Sequence, residues 1–546
     1  MKRTDFSVDW LFAACAPDTE LLPWNAQFTP VDLPHDWQIR HADDLYRDGT
    51  LFYRKYFFVT DVPGTRRMLW FGGAYMDTTV FVNGTEVGQW KYGYTSFWFD
   101  ITDALHEGQN EVLVRCNLRH PNSRWYSGAG LYRNVELWEA PDLHLMPDGL
   151  YVAAKEGDNG AWTVAVTAEA GSVTAASTGR TLTLHLTDDN GSLLGTAAIP
   201  ADAWAALPSL DGWRTGKETA IYKASHTFTL QDPALWDLDA PSFYHITAEL
   251  TGADGVTDTL TTRFGCRTIE ATPDCGLLVN HKRVLIKGVC IHHDFGCLGS
   301  AFEYSAAKRQ LEILKSMGVN SIRTGHTPPA PQFMDLADEM GILMDVESFD
   351  CWRSGKNPYD YGRFFDEWQE KDVAAWIRRD RNHPSLLFWC IGNEIYDTHA
   401  GPEGADTMRM LLAEVAAHDP ARNGIPTLGS NYMPWENTQH CADIIKVAGY
   451  NYGERLYASH HEKHPDWVIY GSETSSIVQS RGIYHFPLSQ SLLSDDDLQC
   501  SSLGNSRTSW GAESWDVCLQ SEQRWPFTLG QYLWTGWDYI GEPTPY

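Results

Sequence analysis

The chain lacks any uninterrupted apolar run approaching the ~18 residues of a membrane-spanning helix, although 43% of its 546 residues are apolar. No membrane span is expected. Positive charge is scarce: 42 Lys and Arg stand against 71 Asp and Glu, a net charge of −29. That balance argues against a nucleic-acid partner, because phosphate binding needs a basic surface. It fits a neutral or weakly charged ligand. The eleven Cys include no CxxC pair. Cys116, Cys290 and Cys390 sit in apolar runs, which implies buried free thiols in a reducing, cytoplasmic compartment. The start, MKRTDFSVDWLFAACAPD, makes a poor secretory signal because Asp5 and Asp9 interrupt its apolar stretch. His292, His293 and His326 lack HExxH spacing, so hydrogen bonding to hydroxyls is favoured over zinc binding.

What the chain has in abundance is aromatic side chains, 13% of residues with 23 Trp. β-Domain cores must account for most of them, and stacking platforms for sugar rings are the functional alternative. The first 140 residues carry short strand-like runs without helices, with Asn83-Gly84 as a hairpin turn between two of them. This region reads as a jelly-roll sandwich. Residues 141–268 continue as β, with strand spacing like an immunoglobulin-type sandwich and no evident chemistry. From 269 to 546 strands alternate with helices. Eight strands are expected, at 284–289, 320–324, 342–346, 386–391, 426–429, 445–450, 467–471 and 530–535. Phe333, Leu336, Ala337 and Met340 stripe one intervening helix, and Leu311, Leu314 and Met317 another. Eight such units in this length predict a (β/α)8 TIM barrel. The fold class is therefore multidomain, β plus α/β. The stop at Tyr546, just past strand eight, leaves the last helix wanting and is taken as the mark of a fragment.

Active sites of such barrels form at the carboxyl ends of the strands. Here those ends are polar: His292-His293-Asp294, Thr324-Gly325-His326, Glu347 with Asp350 and Trp352, Asn393-Glu394, Asn451-Tyr452, Glu473, then Trp534, Trp537 and Asp538. Such a rim suits a polyhydroxylated ligand. Two apolar runs, LLFWCI and WVIY, lead into Glu394 and Glu473. A pair of carboxylates across a sugar is what glycoside hydrolysis requires, one to protonate the leaving oxygen and one to attack the anomeric carbon or activate water. Each Glu alone is equally consistent with a solvated residue or a helix cap. Glu347 and Asp350 are also consistent with a structural ion pair to Arg323 or Arg353, and Trp510 and Trp537 with either core or subsite walls.

At these motifs the chain resembles glycoside hydrolase family 2, which contains β-galactosidases, β-glucuronidases and β-mannosidases. The segments VDLPHDW, LFYRKYF, SRWYSGAGLYRNVEL, LIKGVCIHHDFGCLGSA, VNSIRTGHTPP, RDRNHPSLLFWCIGNE, YGSETSS and WTGWDYIGEPTPY carry the resemblance in order. It implies Glu394 as general acid/base and Glu473 as nucleophile. It further implies Asn393 as the holder of the sugar 2-hydroxyl, and Asp294, His326, Asp350, Asn451, Tyr452, Trp537 and Asp538 as substrate contacts. The implied activity is retaining, exo-acting hydrolysis of terminal β-linked sugars. The ending DYIGEPTPY resembles the β-galactosidase branch, with β-glucuronidase as the alternative. A non-catalytic carbohydrate-binding protein is the rival from another class. The substrate is an oligosaccharide or glycoside. No cofactor is called for, a bound Mg or Na ion is left open, and the family allows a homo-oligomer.

Overall fold

The computed structural model describes the chain apart from residues 42, 61–63, 174–179, 208–212, 214–215, 253–254, 256, 477–512, 514 and 541–546. Trp510 and the last six residues of the strand-eight motif thus lie outside the described residues.

Residues 2–141 form a jelly-roll sandwich. A six-stranded sheet centred on Gly49–Val59 and Gly108–Leu118 faces a four-stranded sheet centred on Thr65–Phe71 and Val135–Pro141. Asn83 and Gly84 take φ of 50° and 79° between Thr78–Val82 and Thr85–Trp90, the two positive values of a type I′ hairpin. An immunoglobulin-like sandwich follows, with two four-stranded sheets between His144 and Phe264. Its strands alternate inward and outward: along Ala161–Ser172, Trp162, Val164, Val166, Ala168 and Ala170 are buried. One face is core and the other is wet.

Eight parallel strands then close a barrel. They are β1 (Ile286–Ile291), β2 (Ser321–Thr324), β3 (Leu343–Glu347), β4 (Leu386–Asn393), β5 (Ile425–Ser430), β6 (Val447–Asn451), β7 (Val468–Ser475) and β8 (Gly530–Trp534). β8 returns to β1 through Gly530 opposite Ile286 and Tyr532 opposite Gly288. All eight overlap the runs expected from sequence, with ends displaced by up to four residues. Strands β3, β4 and β7 are buried at every position, because helices cover one face and the barrel interior the other. β7 runs two residues past Glu473, which therefore sits inside the strand rather than at its end. The helix striped by Leu311 and Leu314 spans Tyr304–Ser316, but Met317 is 73% exposed. It falls beyond the last helical turn, where Gly318, at φ 92°, leads the chain away.

A three-stranded sheet, Ile269–Thr272, Gly276–Val279 and Lys282–Val284, precedes the barrel. Its Leu277 and Val279 pack with residues at the starts of barrel strands, including Ile286, Leu343 and Val468. That places an apolar plug at the end opposite the catalytic rim. The jelly roll and the barrel share one continuous core. Trp90 meets Trp368 edge-on at 5.5 Å, and Thr95 donates to buried Asp372 at 2.8 Å. The immunoglobulin-like sandwich keeps a separate core.

Candidate active site

β4 delivers Asn393 and Glu394 to the rim, and the backbone there is strained. Glu394 has φ of 47°, a left-handed conformation that costs a non-glycine residue about 1–2 kcal/mol. The Glu394 N–H donates to the Gly429 carbonyl at 2.8 Å, which ties the turn to β5. Strain held by surrounding structure is a mark of functional sites. β7 brings Glu473 from across the mouth, and the end of β6 and the residue after it supply the two side chains between them.

Those two residues hold both carboxylates. Asn451 Nδ2 donates to Glu394 Oε1 at 3.1 Å, and the Tyr452 hydroxyl donates to Glu473 Oε2 at 2.8 Å. Tyr450 faces elsewhere, toward His460 at 2.9 Å. Buried Arg323, from β2, donates through Nη1 to Glu473 Oε1 and through Nη2 to Asn393 Oδ1, each at 2.9 Å. It also pairs with Glu347. Asn451 Nδ2 reaches Asn393 Oδ1 at 3.0 Å, and Ser472 Oγ fixes the other end of Asn451 at 2.6 Å. The carboxylates, the amides and the guanidinium form one connected network rather than two separate cavities.

His326 stands against this network, with Nδ1 2.6 Å from Glu347 Oε2 and Nε2 3.7 Å from Glu473 Oε1. Burial holds its pKa well below the usual imidazole value, so the ring is neutral near pH 7. It stacks on Trp534 at 5.2 Å, while His292 stacks on Trp125 at 5.4 Å. These rings build an apolar wall beside the carboxylates. Burial pushes the Glu473 carboxyl up. Arg323 opposes that shift, the Glu394 charge adds to it, and the hydrogen bonds from Arg323 and Tyr452 oppose it again.

Asp350 is tied to Arg124 at 2.7 Å, to Lys356 at 2.8 Å and to Asn393 Nδ2 at 3.0 Å. Burial favours its neutral form, but Arg124 and Lys356 override this and hold it far below the usual carboxylate range. Of the ion pairs expected for Glu347 and Asp350, Glu347 pairs with Arg323, whereas Arg353 pairs with Asp366 and Asp350 takes Arg124 and Lys356 instead. Asp294 is buried with its Oδ1 on the Gly296 N–H at 3.1 Å, and burial raises it to about 6. Trp537 is half-buried against the shared core, and Asp538 is exposed. The network thus gathers Glu394, Glu473, Asn393, Asn451, Tyr452, His326 and Asp350, while Asp294, Trp537 and Asp538 stand outside it. Among the described residues, the one side-chain group spaced to hold a metal ion is Asp335, Asp338 and His383. His383 and Arg263 already pair with Asp338 there.

Comparison with known proteins falls on the same fold. Residues 271–461 match the family model described as Glycosyl hydrolases family 2, TIM barrel domain, and residues 148–267 match Glycosyl hydrolases family 2. A Bacteroides ovatus protein named Beta-galactosidase BoGH2A is 33% identical over the whole of this chain, which covers 68% of that protein. The chain belongs to glycosyl hydrolase family 2. A family 2 member from Bacteroides cellulosilyticus, known from its crystal structure, matches with a TM-score of 0.82 at 27% identity, over 99% of this chain and 66% of that one. A putative beta-glucuronidase from Formosa agariphila is 32% identical over 72% of this chain and 37% of its own length. The chain thus spans about two thirds of the first two relatives and much less of the third.

One residue of this family 2 site comes from outside the barrel. Arg124, in the jelly roll, places Nη1 3.2 Å from Glu394 Oε2 while Nη2 and Nε grip Asp350. Its neighbour Trp125 supplies the stacking partner of His292. Both lie in the segment SRWYSGAGLYRNVEL, yet nothing in a lone arginine 270 positions away marks it as a partner of Glu394.

Proposed function

We propose that the chain is a retaining, exo-acting β-glycosidase that removes terminal β-D-galactosyl residues. The observation that carries this is the grip of two adjacent residues, Asn451 and Tyr452, on Glu394 and Glu473 respectively. Carboxylates gathered into one hydrogen-bonded network suit double displacement, in which the carboxyl groups lie about 5–5.5 Å apart. Glu473 attacks the anomeric carbon and forms an ester bond as the glycosidic C–O bond breaks, and the Glu394 proton passes to the leaving oxygen. Water then attacks the same carbon, gives its proton back to Glu394, and frees the Glu473 carboxylate. Arg323 and Tyr452 each place a donor on Glu473, which favours its ionised form before attack. Asn393 has two amide hydrogens, one of them on Asp350, so the other is free for a sugar 2-hydroxyl.

The choice of galactoside rests on charge. Arg124 and Lys356 both pair with Asp350, so neither is offered to a sugar carboxylate, and a neutral sugar fits better than a uronate. The Bacteroides ovatus relative is named a beta-galactosidase, which points the same way. All ten described cysteines are free, which supports a reducing, cytoplasmic setting. The rival, a non-catalytic sugar binder, has no use for two coupled carboxylates. Hydrolysis of a panel of nitrophenyl and fluoride β-glycosides tests the reading. Galactosides are expected to turn over fastest; faster glucuronides would reverse the choice of sugar. Glu394→Gln is expected to lower kcat on nitrophenyl galactoside by about 10²–10⁴-fold. Glu473→Ala should lose essentially all turnover with the fold intact by circular dichroism. Near-normal activity in either variant would strip that residue of its role.

A further inference from the structure

The acid that protonates a leaving group must face it, so whatever the enzyme cleaves off sits on the Glu394 side of the pocket. On that side the chain exposes a set of aromatic rings that the network above does not use. Tyr396 lies two residues beyond Glu394 and is 39% exposed, and Trp435, in the loop after β5, is 57% exposed. Between them His399 stacks on Tyr432 with ring centres 4.0 Å apart and planes at 25°. Tyr396 meets Tyr432 at 6.2 Å, and His399 meets Trp435 at 5.8 Å. Burial first, then the charges of Glu394 and Tyr396, push the Tyr432 hydroxyl up to about 12. The four rings form an unbroken series of contacts on the loops that follow β4 and β5, and it begins at Tyr396, two residues from the acid.

Exposed large aromatics cost solubility, and a clustered patch marks an interaction site. The backbone here is organised to present them. Trp435 N–H donates to the Tyr432 carbonyl at 2.9 Å, Tyr432 N–H to Ser430 Oγ at 3.0 Å, and Asn437 Nδ2 to the His399 carbonyl at 3.2 Å. Flat faces set beside a glycosidic acid suit a ring, whose C–H face stacks on an aromatic.

We propose that Tyr396, His399, Tyr432 and Trp435 form the leaving-group subsite, and that it takes a cyclic aglycone, a second sugar or an aryl ring, by face stacking. This rests on the glycosidase reading, and the experiment separates the two. A β-linked disaccharide places a ring on the platform, whereas the glycosyl fluoride of the same sugar places a single atom there. For wild type, Trp435→Ala, Tyr396→Ala and Trp435→Phe, kcat/KM is measured on both substrates. The ratio of disaccharide to fluoride is expected to fall about tenfold in each alanine variant, chiefly through KM, and to recover most of its value in Trp435→Phe. Both residues are exposed, so neither substitution removes a core side chain. Ratios within twofold of wild type in both alanine variants would overturn the subsite while leaving the hydrolase intact. Failure of wild type on every glycosyl fluoride would overturn the hydrolase reading and the subsite with it.

Discussion

A single side chain from a neighbouring sandwich sets the posture of the acid. Arg124 holds Asp350 through two nitrogens and touches Glu394 with the third. Its role is positioning, and leaving-group dependence is the readout. Arg124→Ala is expected to slow methyl galactoside, whose departure needs the proton, by about 10–10²-fold. Dinitrophenyl galactoside, which departs unaided, should lose little, and Arg124→Lys should restore part of the difference. Equal losses on both substrates would show a general structural defect instead. Asn393, Glu394, Asn451 and Glu473 were legible in the sequence because each follows closely on an apolar run, although the strand carrying Glu473 continues to Ser475. Arg124, Lys356 and the ring platform were not, since loops that meet across sequence leave no periodicity to read. The separation of Asp294, Trp537 and Asp538 from the hydrogen-bonded network was equally hidden. Position on a rim does not say which way a side chain turns.

Among the elements, the eight barrel strands were the most legible part of the fold. Burial on both faces forces runs of Val, Ile, Leu and aromatics that no loop tolerates. Less legible was the three-stranded sheet at 269–284, whose short runs merged with the first barrel strand. The helix after β2 and the loop before β4 are joined by Asp338, which takes His383 Nδ1 at 2.7 Å and Arg263 at 3.2 Å. Burial works against the charged imidazole, but Asp338, Asp335 and Asp380 prevail and raise His383 to about 9. The folded value lies above the unfolded value of about 6.5. The stabilisation is therefore complete below about pH 6.5 and is lost as pH rises through about 9. Its size is on the order of 3 kcal/mol. Denaturant midpoints of wild type and His383→Ala should differ clearly at about pH 6 and converge at about pH 10. A gap that stays constant across that range would refute the linkage.

At the scale of the whole molecule, cores rather than domain labels decide what unfolds together. The jelly roll and barrel share apolar side chains without a break, whereas the immunoglobulin-like sandwich buries its own set. Polar links such as Tyr151 to Asp419 at 2.6 Å and Arg378 to Glu169 at 2.9 Å join that sandwich to the barrel. Scanning calorimetry is expected to resolve one transition for jelly roll plus barrel and a second for the sandwich. Trp162→Ala, in the sandwich core, should lower the second midpoint alone. A matched fall in both would mean that all three parts melt as one.

The reach of Arg124 into the barrel bears on how the pocket comes into being. Synthesis runs from the amino end, so Arg124 leaves the ribosome before either acid it will meet. Asp350 and Glu394 thus meet a counter-ion that another domain supplies, and the pocket is complete only once the jelly roll and the barrel have docked.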